Sequence, residues 1–113
     1  MAVQRRVRGS DVFAAIGDPT RRQVLDLLAR KHMPAGEIAE RFRISRPAIS
    51  QHLKVLRRAQ LVKAKRCGRE QIYSLSPEPL HEVFEWVEHY KQFWDSKLAA
   101  LGEYLEEISG GKQ

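Results

Sequence analysis

Apolar residues recur at helical spacing over most of this chain and switch once to a two-residue alternation. Val12, Phe13 and Ile16 open the pattern behind Ser10, a natural N-cap. Gly17-Asp18-Pro19 breaks it, and Asp18 or Thr20 is placed to cap a second helix to about residue 31 with Val24, Leu25, Leu27 and Leu28 inward. Pro34 opens a third helix whose Ile38, Ala39 and Phe42 face the core. The link Arg43-Ile44 then leads to Ser45, the cap of a fourth helix with Pro47 in its first turn, where a missing N–H costs nothing. In that helix Ile49, Leu53 and Leu56 form one stripe, with Ala48 and Val55 beside it. The third and fourth helices are thus joined by a turn of about three residues, the spacing of a helix-turn-helix.

After Ala59 the period changes. Leu61–Arg66 and Gln71–Leu75 alternate apolar with polar residues on either side of Cys67-Gly68-Arg69, which predicts a hairpin with glycine at the bend. A hairpin directly after the fourth helix is a wing. From Pro77 a long amphipathic helix follows, carrying Leu80, Val83, Phe84, Val87, Tyr90, Phe93, Trp94, Leu98, Leu101 and Leu105 until Gly110-Gly111. The expected fold is mainly α with a small β-hairpin: a winged helix-turn-helix with a long C-terminal dimerisation helix. Its expected parts are a flexible basic arm at 1–9, a DNA-binding domain at 10–76, the dimerisation helix at 77–109 and a tail at 110–113. A domain of this size has no spare surface to cover so long an apolar stripe, so a homodimer is expected. Phe13, Ile16, Val83, Val87, Tyr90, Trp94, Leu98 and Leu101 are its candidate dimerisation residues. A two-fold axis would set two fourth helices about 34 Å apart, the spacing of successive major grooves on a palindrome.

Charge says what the fourth helix faces. Arg46, Ser50, Gln51, Lys54, Arg57 and Arg58 lie opposite its apolar stripe with no carboxylate among them. The net charge of +6 is segregated: residues 1–69 hold 17 Lys and Arg against 5 acids, and residues 70–113 hold 3 against 9. The basic part is an electrostatic footprint for a polyanion, here double-stranded DNA. Arg46, Ser50 and Gln51 are the expected base readers, since Arg pairs bidentately with guanine and Gln with adenine. Lys54 and Arg57 are assigned to phosphate, as are Lys65, Arg66 and Arg69 on the wing, with Arg5, Arg6 and Arg8 as further cations on the arm. His52 stands beside the base-reading face, placed either to reach phosphate or to pack within the helix.

Several classes are excluded. One cysteine permits neither an internal disulfide nor a cysteine zinc cluster. No apolar run approaches the ~18 residues of a membrane span, and the first residues lack the apolar core of a signal peptide. A cytoplasmic protein without membrane contact is expected. There is no glycine-rich phosphate loop, no nucleophile beside a base and no carboxylate pair in an evident cleft, so neither an enzyme nor a cofactor is expected. A winged helix serving as a protein-interaction module is the rival outside DNA binding. Cations rather than aromatics on the outward face weigh against it.

Gly17-Asp-Pro-Thr-Arg-Arg-Gln-Val-Leu-Asp-Leu-Leu28, then Ser45 to Val62, then Gly68-Arg-Glu-Gln-Ile-Tyr-Ser-Leu75 resemble the ArsR/SmtB winged-helix repressors over nearly the whole chain. The tail, with Trp86, Tyr90, Phe93, Trp94 and Leu98, resembles the SdpR-like autorepressor branch. The resemblance implies a homodimeric repressor that leaves its operator on a signal. Many relatives bind metals through Cys-Val-Cys on the third helix, but the matching segment here, Met33-Pro-Ala-Gly-Glu-Ile-Ala-Glu40, has no thiol, which excludes soft-metal sensing there. A second family site uses an Asp-x-His…His-x-x-Glu arrangement on the last helix. His81, Glu85 and His89 share one helix face here without matching that spacing, so no metal site is assigned; a metal-responsive repressor built on them is the alternative. Cys67, among Lys65, Arg66 and Arg69, is the candidate redox switch, because oxidation there would place bulk or negative charge beside phosphate. No motif names an inducer.

Overall fold

A computed structural model describes residues 12–110. The arm at 1–9, its three arginines, the Ser10 cap and Gly111 lie outside the described residues. Backbone contacts divide the chain into two units, the first closing at Val83 and the second opening at Phe84.

The first unit begins with helical residues 12–16 (α1), followed by α2 (Pro19–Arg30), β1 (Met33–Pro34), α3 (Ala35–Phe42), α4 (Arg46–Arg58), β2 (Val62–Cys67) and β3 (Glu70–Leu75). Of the two residues able to cap α2, Asp18 does so: its carboxylate accepts from the Arg21 N–H at 3.0 Å, with Pro19 in the first turn. The helix-turn-helix turn closes α3 on Arg43, which holds the left-handed φ of 56°, while the Ile44 N–H donates to the Ala39 carbonyl at 3.3 Å. Ser45 then caps α4 through the Ala48 N–H at 3.2 Å. At the far end of α4 the same device recurs on Gln60, φ 63°, with the Leu61 N–H donating to Leu56 at 2.9 Å. Neither left-handed position carries glycine.

Three strands form one antiparallel sheet in the order β1-β3-β2. The hairpin pairs Val62 with Leu75 and Cys67 with Glu70, leaving Gly68-Arg69 as a two-residue bend with Gly68 at φ 65°. β2 starts after Leu61 because that residue is still engaged in closing α4. The third strand was not expected. Met33 pairs with Tyr73 and Pro34 with Ile72, so Pro34 both ends an edge strand and precedes α3, a position where its missing N–H is harmless. Two residues are too few to show a periodicity.

The core gathers where α2, α3, α4 and the sheet meet. Val24, Ile38, Ile49, Leu56 and Leu61 are wholly buried there, and Leu80 and Val83 at the start of α5 (Leu80–Glu88) pack against it.

The second unit carries the rest of α5 and then α6 (Lys91–Gly110). The C-terminal helical segment is therefore present, but not as one uninterrupted helix. It breaks at His89-Tyr90, where the backbone tightens to bonds three residues apart: His89 N–H to Trp86 at 3.2 Å and Tyr90 N–H to Val87 at 2.9 Å. Trp86, Tyr90 and Phe93 cluster around this joint, with ring centroids 5.4 and 6.2 Å apart. No glycine or proline marks it in the sequence. Phe84, Trp86, Phe93, Trp94, Leu98, Leu101, Tyr104 and Leu105 are all exposed. Among the described residues no helix is long and apolar enough to cross a membrane.

Candidate nucleic-acid interface

Burial fixes the orientation of α4. Ile49, Leu53 and Leu56 are buried, so Arg46, Ser50, Gln51, Lys54, Arg57 and Arg58 are turned to solvent. Three of the wing's cations, Lys65, Arg66 and Arg69, are exposed as well, and Arg66 donates from Nε to the Gly68 carbonyl at 3.3 Å, which bends its side chain over the turn. Helix and wing share one concave surface: Arg46 and Ser50 line a depression with Arg69, Gln71 and Tyr73. A second depression joins Ser50, Lys54, Arg57 and Arg58 to the same Tyr73. Residues far apart in sequence are thus gathered on one basic face, with Glu70 the carboxylate on its rim.

Arg46 is held closer to the domain than its place on the helix suggests. Its guanidinium lies over Gly36 at the start of α3, 3.1 Å from where a Cβ on that glycine would stand. His52 is half-buried rather than fully outward, and its Nδ1 stands 3.4 Å from Nη1 of Arg21. That arginine also donates from Nε to the Ala15 carbonyl at 2.7 Å and from Nη2 to Ala14 at 3.1 Å. Arg22 donates to Ile16 at 2.7 Å. The two arginines therefore close the end of α1, and one of them touches α4. Sequence reasoning singled out neither, although Asp-Pro-Thr-Arg-Arg was on view: its spacing shows the cap at Asp18 but not where the arginines fold back. The Asp18 carboxyl sits below its ordinary range because it accepts the Arg21 backbone N–H, with the positive charge of Arg21 adding to the effect.

The other candidates fall as follows. Phe13, Ile16, Val83 and Val87 are half-buried, with Ile16 and Val83 packed on the first unit's core, while Tyr90, Trp94, Leu98 and Leu101 are exposed. Cys67 is exposed near the bend and lies opposite Glu70, so a carboxylate joins the cations around it. Of the stripe of His81, Glu85 and His89, the first two lie on α5, whereas His89 lies in the turn that follows Glu88. Among the described residues no three His, Cys, Asp or Glu side chains gather closely enough to hold a metal ion.

Residues 18–64, from the cap of α2 into the wing, match the family of bacterial regulatory proteins of the arsR type. The transcriptional repressor SdpR of Bacillus subtilis (strain 168) is 43% identical over 89 residues, covering 79% of this chain and 99% of that protein. The chain belongs to the ArsR family. Among solved structures, the crystal structure of an ArsR family transcriptional regulator superposes with a TM-score of 0.71 at 27% identity, covering 80% of this chain and 94% of the other. A homodimeric winged helix-turn-helix DNA-binding domain from Mycobacterium bovis, a possible ArsR-family regulator, gives 0.66 at 27% identity over 80% of this chain and 83% of that one. The expected winged helix-turn-helix is the fold observed, and this ArsR-family chain is a transcriptional regulator.

Proposed function

We propose that this regulator is a cytoplasmic, non-enzymatic repressor that binds a palindromic operator as a homodimer, with α4 in the major groove and the β2–β3 wing alongside it. The carrying observation is the shared basic depression, where Arg46 and Ser50 of α4 meet Arg69 and Gln71 of the wing. Arg46, Ser50 and Gln51 read base edges. Lys54, Arg57, Lys65, Arg66 and Arg69 bind phosphate, which gives affinity and salt dependence but no sequence preference. The exposed apolar side chains of the second unit supply the dimer contact, with Trp94, Leu98 and Leu101 among them. The homodimeric Mycobacterium bovis relative supports that assembly, and the repressor SdpR supports repression as the outcome.

The test is fluorescence anisotropy of the purified protein on the DNA upstream of its own coding sequence, against a scrambled duplex, across a salt series. Tight preference for the upstream fragment with a steep salt slope is expected. Equal, weak binding to this fragment and its scrambled form would remove the autorepressor reading.

A further inference from the structure

We infer that Arg21 is a positioning residue for DNA binding: it fixes the His52 ring so that a neutral imidazole presents its Nε2–H to a backbone phosphate. The inference rests on the DNA-binding reading above and assigns one residue of that interface its chemical form.

Nη1 of Arg21 stands 3.4 Å from Nδ1 of His52, across 31 positions of sequence. A guanidinium has donors and no acceptor, and it does not lose its charge in proteins. The contact is therefore a hydrogen bond only if Nδ1 offers a lone pair. That places the ring's single proton on Nε2, because which nitrogen carries it is set by the bond the other one makes. An imidazolium would instead set two cations against each other at this distance.

The guanidinium is itself anchored. Its Nε and Nη2 donate to Ala15 and Ala14 at 2.7 and 3.1 Å, and the Asp18 carboxylate accepts from the Arg21 backbone N–H. Nη1 is thus aimed at the ring by two other bonds of the same plane. Among the described residues Nε2 has no protein partner, and no buried side-chain nitrogen or oxygen lacks one. Nε2 therefore reaches the surface, on the residue that follows Gln51 in α4. A neutral donor there binds a phosphate oxygen by a hydrogen bond to a charged group, without displacing a counterion.

Two readouts test this on the full-length chain. In nitrogen-15 NMR of the free protein at neutral pH, His52 should show the Nε2–H tautomer, and Arg21→Lys should turn it into a mixture. In anisotropy titrations on a labelled duplex selected from a random library by the wild-type protein, His52→Asn should weaken binding about tenfold. The slope of log affinity against log salt should stay unchanged. His52→Gln, whose amide nitrogen reaches the Nε2 position, should retain most of the affinity. A dominant Nδ1–H tautomer overturns the inference. So does a slope that falls by about 0.9 in His52→Asn, which would mean His52 binds as a cation. Equal affinity of wild type and His52→Asn overturns it too, leaving His52 a packing residue. If no duplex is selected at all while the tautomer is as expected, the DNA-binding reading itself has failed.

Discussion

Leu53 and Gln51 lie two residues apart on α4 and should answer substitution in opposite ways. Leu53 is 1% exposed, so Leu53→Ala removes three buried carbons at about 0.8 kcal/mol each, or about 2.4 kcal/mol of transfer free energy. A site within the buried core cluster collapses poorly, and the residual cavity should carry the loss into the range of about 2.7–5.0 kcal/mol. Against a total stability on the order of 5–15 kcal/mol that is a large fraction. Gln51 is exposed, and among the described residues its side chain has no hydrogen-bond partner. Gln51→Ala should stay within about 0.5 kcal/mol of wild type in stability but lose about 1–3 kcal/mol of discrimination at one base pair. Urea titrations followed by circular dichroism, at one fixed protein concentration because the reading is a dimer, measure the first quantity. Competition among duplexes differing at single base pairs measures the second. A Leu53→Ala loss under about 1 kcal/mol, or a Gln51→Ala loss equal on preferred and random DNA, would refute the assignment of the two faces.

Gln60→Gly should raise the melting temperature, because a side chain at φ 63° costs about 1 kcal/mol that glycine avoids; no rise would mean the left-handed cap carries no strain. Arg69→Ala should weaken binding to all DNA sequences similarly and reduce the salt slope by about 0.9, and a sequence-selective loss would make Arg69 a base reader. Asp18 has its folded value held below the ordinary 3.8, so its cap contributes stability above that value and loses it as pH falls through the lower folded one. Thermal melts from pH 5 down to pH 2 should therefore show a shallower acid loss for Asp18→Asn than for wild type; parallel curves would place the acid loss on other carboxylates.

What the chain revealed in advance depended on how long a signal each feature had. The four helices ahead of the wing repeat an apolar stripe over one turn or more, and each lies where periodicity put it. The hairpin has an alternation and a glycine. β1 has neither: two residues pair with β3 only because the chain passes that edge on its way into α3. The joint at His89-Tyr90 escaped for the opposite reason, since the apolar stripe runs through it unbroken and only the backbone bonds tighten. The left-handed Arg43 and Gln60 were hidden because glycine is the usual marker of that conformation. At the interface, the outward faces of α4 and the wing were legible one by one, whereas their meeting around Tyr73 is a product of the sheet. His52 was left between two roles, and the partner that bears on the choice lies 31 positions away.

That partner gives the Asp-Pro-Thr-Arg-Arg segment its physical sense. Asp18 and Pro19 start α2, which any capping pair would do. Arg21 and Arg22 then reach back over the break to bond the carbonyls of Ala14, Ala15 and Ile16, the groups a helix end leaves unsatisfied. A break in the helical pattern becomes a fixed joint, with cations at the negative end of α1. Because Arg21 also stands against His52, the end of α1 is tied to α4. Lysine in place of Arg21 would keep the charge but lose the planar fork that bonds several acceptors at once. The segment is therefore a joint between α1 and α4, and Arg21 in it is not interchangeable with another cation.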